Sequence, residues 1–94
     1  MKLKEIASGI ATHLKRFEAD PKINVQGAGG HKKYFGARTY VGGSRVFVYT
    51  VSYQGAKSLT KHQAEGYLKW LDAGNVGTYW KFEAQSVANL AHLV

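Results

Sequence analysis

Aromatic and cationic residues alternate along residues 32–53, and this is where the chain is best equipped to do chemistry. Rings stack on nucleic-acid bases while Arg and Lys hold the phosphates. Whether they act together depends on Gly42-Gly43. A two-residue primed hairpin turn needs positive φ at its centre, which glycine supplies. Such a turn pairs positions whose numbers sum to 85, and the register assigns every side chain to a face. One face then holds Phe35, Ala37, Thr39 and Val41 opposite Thr50, Val48, Val46 and Ser44, a small and β-branched surface fit to receive helices. The other pairs Tyr40 with Arg45, Arg38 with Phe47, Gly36 with Tyr49, Tyr34 with Val51 and Lys32 with Tyr53. Tyr49 is expected to lie over Gly36, where a ring relieves an unpacked glycine. The same surface could instead receive an acidic protein, since Tyr and Arg dominate binding hot spots. A third arrangement covers it with Trp80, Phe82 or the C-terminal helix, the Arg and Lys stems lying along the rings.

Other chemistry finds less support. Gly27-Ala28-Gly29-Gly30-His31-Lys32-Lys33 could cradle phosphate, yet a P-loop lysine is followed by Ser/Thr opening a helix, and here a strand follows. A flexible basic loop touching a nucleic-acid backbone remains, with Lys32 and Lys33 as its cations. His13, His31, His62 and His92 fall on separate elements without ligand spacing, so no metal site is expected. The carboxylates Glu5, Glu18, Asp20, Glu65, Asp72 and Glu83 form no acid–base pair. Ser44, Ser52, Ser58 and Ser86 lack a nucleophile-elbow context. No catalytic residue and no cofactor is expected, and the chain reads as a non-enzyme.

The elements that would position the hairpin follow from periodicity. Leu3, Ile6, Ala7, Ile10, Leu14 and Phe17 recur at three- and four-residue steps and predict an amphipathic helix to about Ala19. Asp20-Pro21 stops it. Pro21 to Gln26 could hold a short strand. The hairpin strands run from about His31 and over Ser44–Gln54, where Gly55 ends the second. Thr60 and Gln63 have capping-box spacing, and Ala64, Tyr67, Leu68 and Leu71 share one face of the helix that follows. Gly74 suits a left-handed C-cap. Thr78–Glu83 reads as a strand with Trp80 and Phe82 on one side, and Ser86–Val94 as a short final helix that must dock. The expected architecture is a single α+β domain over residues 1–94, in the order α-(β)-β-β-α-β-α, with an antiparallel sheet packed on two helices.

Composition narrows the partners. Thirteen Lys+Arg against six Asp+Glu give a net charge of +7, and residues 1–47 hold +6 of it. A local field of this kind attracts phosphates or acidic surfaces, although it also serves solubility. With no cysteine there is no disulfide framework, in keeping with a reducing compartment. No apolar run approaches the ~20 residues of a membrane span, and Met1-Lys2-Leu3-Lys4-Glu5 opens no signal peptide, so no membrane partner and a cytoplasmic location in a bacterial host cell are expected.

Leu3–Gly74 resembles the double-stranded-RNA-binding domain in its order of elements. In that family a basic cluster at the start of the second helix grips phosphates. Lys57 and Lys61 fall near that cluster, Glu65 stands where further positive charge would be, and the family's loop motif between its second and third strands is missing. Ser58-Leu59-Thr60-Lys61 and Tyr67-Leu68-Lys69-Trp70-Leu71-Asp72-Ala73-Gly74-Asn75-Val76-Gly77 look like small orphan proteins of phages and mobile elements, some of them anti-CRISPR-type inhibitors. That resemblance implies a binding protein that blocks a host nucleic-acid-processing complex. Many such proteins are acidic DNA mimics, and the +7 charge instead suggests docking on an acidic surface or on held nucleic acid. The expected function is non-catalytic engagement of nucleic acid or a nucleoprotein complex through Lys32, Lys33, Tyr34, Arg38, Tyr40, Arg45, Phe47, Tyr49, Tyr53, Lys57 and Lys61. Its biological form would be an anti-CRISPR-like inhibitor acting by occlusion, with a stand-alone RNA- or DNA-binding module as the alternative. A third possibility is an assembly protein that homodimerises through Tyr67, Trp70 and the Val87–Val94 tail.

Overall fold

A computed structural model describes residues 1–24, 34–39, 42–49 and 56–92, with 87–92 described through their backbone alone. Helix α1 spans Leu3–Ala19 and buries Ile6, Ala7, Ile10, Leu14 and Phe17, the stripe its periodicity predicts. Strands β1 (Gly36–Thr39), β2 (Arg45–Tyr49) and β3 (Ala56–Thr60) form an antiparallel sheet in that spatial order. Helix α2 covers Lys61–Asp72 and α3 Tyr79–His92. The protein is thus an α+β domain of order α-β-β-β-α-α.

The hairpin register is the expected one. Gly36 faces Tyr49, Ala37 faces Val48, Arg38 faces Phe47 and Thr39 faces Val46. Gly42 has φ +76°, the positive sign that a primed hairpin turn requires at its first central residue. β3 continues the alternation, with Leu59 beside Val46 and Ser58 beside Phe47. Val46, Val48 and Leu59 are fully buried with Ile6, Ile10 and Leu14 of α1 and Ala64 and Tyr67 of α2. At α2 the Thr60 hydroxyl accepts from Gln63 N–H while the Gln63 side chain accepts from Thr60 N–H, the reciprocal cap its sequence predicts.

Three elements differ from the sequence reading. Residues 78–83 are not a strand. The Thr78 carbonyl accepts from the N–H groups of Lys81 and Phe82, and Tyr79 begins α3. Aromatic residues favour strands only weakly, and packing decides. As a helix this segment places Tyr79 and Phe82 together on Tyr67, with ring centroids 5.5 and 5.7 Å away, and leaves Trp80 39% exposed. Second, Pro21–Ile23 form a turn in which the Asp20 carbonyl accepts from Ile23 and Asn24; Val25 and Gln26 of the short strand expected over 21–26 lie outside the described residues. Third, β3 occupies the interval between Gly55 and the Thr60 cap, to which the residue pattern assigns no element because Ala56-Lys57-Ser58 lacks strand-favouring residues.

Tyr67 anchors the helical layer. It is fully buried and donates its hydroxyl to the Gly77 carbonyl at 2.8 Å, fixing the α2–α3 connection. This removes Tyr67 from the dimer surface anticipated for it. Tyr67→Phe should cost about 1 kcal/mol by orphaning that carbonyl, which lowers Tm by about 4–8 °C in a domain of this size. Burial also pushes the Tyr67 phenol well above its ordinary 10.0. Tyr79 shifts the same way, through burial first and then the Glu83 charge, with Lys57 opposing. A raised folded-state value keeps its stabilisation below the ordinary pKa and loses it as pH rises beyond. Urea midpoints should therefore fall between pH 9 and roughly pH 11, and fall less in Tyr67→Phe; equal slopes in the two proteins would assign the alkaline loss elsewhere.

Candidate nucleic-acid interface

Directly opposed residues of an antiparallel sheet point the same way, so the register sorts the strands into two faces. Val46, Val48, Leu59 and Ala37 turn toward the helices. Gly36 and Arg38 of β1, Arg45, Phe47 and Tyr49 of β2, and Ala56, Ser58 and Thr60 of β3 occupy the other side. None of the three aromatic or cationic residues on β2, nor Arg38, is buried, and neither Phe47 nor Tyr49 belongs to the core cluster. Tyr34, just before β1, is 56% exposed.

Arg45 is held in place on this face. Its Nε donates to Ser58 Oγ at 2.6 Å and its Nη2 to the Ser58 carbonyl at 3.1 Å. Arg carries five N–H donors, so others remain to project outward. No carboxylate pairs with it among the described residues. Tyr49 lies over Gly36 as expected: a Cβ placed on Gly36 would stand 2.5 Å from the Tyr49 Cζ and 2.8 Å from its Cε2.

Lys57 and Lys61 do not join this group. Lys57 pairs with Val48 across the sheet and so points to the helical side. There its ammonium meets the Glu83 carboxylate of α3 at 2.5 Å and lies 4.9 Å from the Tyr79 ring centroid. Its role is to tie β3 to α3. Lys61 is exposed on the first turn of α2, 3.9 Å from Glu65. Lys32, Lys33, Tyr40 and Tyr53 lie outside the described residues, as do the side chains of 87–94 invoked for a dimer.

The charge around the sheet is sharply one-sided. From Pro21 to Ala64 the chain has no Asp or Glu, against Lys22, Lys32, Lys33, Arg38, Arg45, Lys57 and Lys61. All six carboxylates sit on the helices or at the α1 C-cap. Four of them have partners: Glu18 with Lys15 and Glu65 with Lys61 within one helix, Asp72 with His13 between α1 and α2, and Glu83 with Lys57 of β3.

Two further arrangements could have been sites. His13 bridges α1 and α2: Arg16 Nη2 is 2.6 Å from Nδ1, and Asp72 Oδ1 is 2.7 Å from Nε2. Because Arg can only donate, Nδ1 accepts and Nε2 carries the proton given to Asp72. Both ring nitrogens are engaged, leaving no position for a metal or substrate. Sequence spacing could not find this link, since residues 13 and 72 meet only through helix packing. Beside it a cleft of about 330 Å³ is lined by Phe17, Ile23, Leu71 and Val76, with Arg16, Asp20 and Asn75 as its polar groups. Those groups are already bonded within the protein, to His13, to the Lys22 N–H and to the Trp70 carbonyl. No cluster of three or more His, Cys, Asp or Glu suited to a metal occurs among the described residues, and none of their helices is long and apolar enough to cross a membrane.

Fold and site together define a small α+β domain with a basic, ring-bearing sheet face. Comparison with protein-family models, with curated proteins and with solved structures finds no match for the chain.

If Ser58 fixes Arg45, then Ser58→Ala should leave the far-UV circular dichroism unchanged while the Arg45 Nε–H signal exchanges markedly faster with water in two-dimensional NMR. An unchanged exchange rate would mean the Ser58 hydroxyl does not order the guanidinium.

Proposed function

We propose that the protein is a non-catalytic nucleic-acid-binding domain that works through the outer face of its sheet. The observation carrying this reading is the segregation of charge: Arg38 and Arg45 flank Phe47 and Tyr49 on a face without any carboxylate, while the acids are confined to the helical layer. Phosphates are attracted by such a field and bases are accommodated by such rings. An acidic protein would satisfy the cations but would not require paired aromatic platforms. In the inhibitory role implied by the resemblance to phage accessory proteins, this face would occlude nucleic acid held by a host nucleoprotein complex.

The test is anisotropy of fluorescein-labelled oligonucleotides titrated between ~50 and ~300 mM salt. Affinity should fall linearly with log salt, since each neutralised phosphate contributes about 0.7 to the slope for single strands and 0.9 for duplex. Arg38→Ala and Arg45→Ala should each weaken binding roughly tenfold, about 1.4 kcal/mol, and flatten the slope by about one contact. Lys4→Ala on α1 and Lys81→Ala on α3 should change neither. No binding of any oligonucleotide at ~50 mM salt would overturn the reading, as would equal losses from the helical lysines.

A further inference from the structure

We infer that the nucleic acid this face takes is single-stranded, and that Gly36 positions the Tyr49 ring on which one base stacks. The inference rests on the nucleic-acid reading above and specifies its substrate. Phe47 and Tyr49 are alternate residues of the central strand, so their Cα atoms are about 6.6–6.8 Å apart. Stacked bases in B-form DNA rise only 3.4 Å per step on each strand. Two aromatic side chains anchored at twice that spacing suit successive bases of a chain whose bases have come apart. A duplex keeps its base faces inside the stack, out of reach of a sheet.

Gly36 decides how Tyr49 presents itself. Opposite a residue with a side chain the ring would be held off β1. Opposite glycine it leans across the strand, with the tip of the ring occupying the space a Cβ would need. One side of the half-buried ring then rests on the β1 backbone, and a base would stack on the other. The cations stand where a threaded backbone needs them. Arg38 is across from Phe47 on β1, and Arg45 is turned toward β3 by Ser58, so positive charge lies on both sides of the ring pair. Gly36 is thus a positioning residue, acting through Tyr49.

The experiment compares labelled 12-mer single strands, DNA and RNA, with the matching duplexes at ~100 mM salt. Wild type should prefer single strands at least tenfold. Gly36→Ala should weaken single-strand binding roughly 5- to 100-fold, the range of one lost base stack, without altering the salt slope, because no charge has been removed. Tyr49→Leu should do the same and answers the question if Gly36→Ala does not fold, as judged by circular dichroism. Equal affinity for duplex, or full single-strand affinity in the folded variants, overturns this inference and leaves the basic-face reading standing. Absence of binding to either form overturns both.

Discussion

A three-stranded sheet holds together in water only if one of its faces is kept dry, and the rest of this molecule follows from how that is done. Val46, Val48 and Leu59 supply the dry face, and each is fully buried. Because side chains alternate along a strand, placing these three inward fixes Arg45, Phe47, Tyr49 and Ser58 outward. A slip of one residue would bury Arg45 and expose Val46, so the hydrophobic requirement enforces the register that assembles the rings and cations. The ring-bearing basic face is therefore a by-product of core formation. It needs no stabilising logic of its own.

The helical layer serves the same constraint from the other side. α1 and α2 bring Ile6, Ile10, Leu14, Ala64 and Leu71 to the sheet, and α3 adds Tyr79 and Phe82 through their contacts with Tyr67. Lys57 is instructive here. It belongs by sequence to the basic strand region, yet its register turns it inward at the margin of the core, where an isolated ammonium would be costly. Glu83 and the Tyr79 ring accommodate it. That pairing links α3 to β3 through side chains, while α3 packs on α2.

Much of this could be read from the residue pattern, and the parts that could not share a cause. The α1 stripe, the Gly42-Gly43 register and the Thr60–Gln63 cap are local: each depends on residues within a few positions or on a turn that dictates pairing. Residues 78–83 carry a strand-like pattern because Tyr79, Trp80 and Phe82 satisfy a two-residue period as readily as a helical one, and the partner that selects the helix, Tyr67, lies in another element. Strand β3 escaped notice because Lys57 and Ser58 take their reasons from long-range contacts with Glu83 and Arg45. On the face itself, Arg38, Phe47, Tyr49 and Arg45 were legible through the hairpin. The inward turn of Lys57 was not, since it requires knowing that β3 exists.

The distribution of acids gives the architecture its electrical character. Had carboxylates been scattered over the strands, each would have found a nearby Arg, and surface pairs of that kind contribute at most about 1 kcal/mol while cancelling the local field. Confining them to the helices reverses the outcome. Glu18 and Glu65 are compensated within their own helices by Lys15 and Lys61, Glu83 by Lys57 of β3, and Asp72 accepts a hydrogen bond from His13. On the outward face of the sheet Arg45 is bonded to Ser58, a neutral partner that leaves its charge uncancelled. Screening at physiological salt limits such a field to about 8 Å, so it acts on what touches the face, not on what passes at a distance. In the proposed function, charge would select polyanions at contact, and the rings would select among them by whether their bases are free.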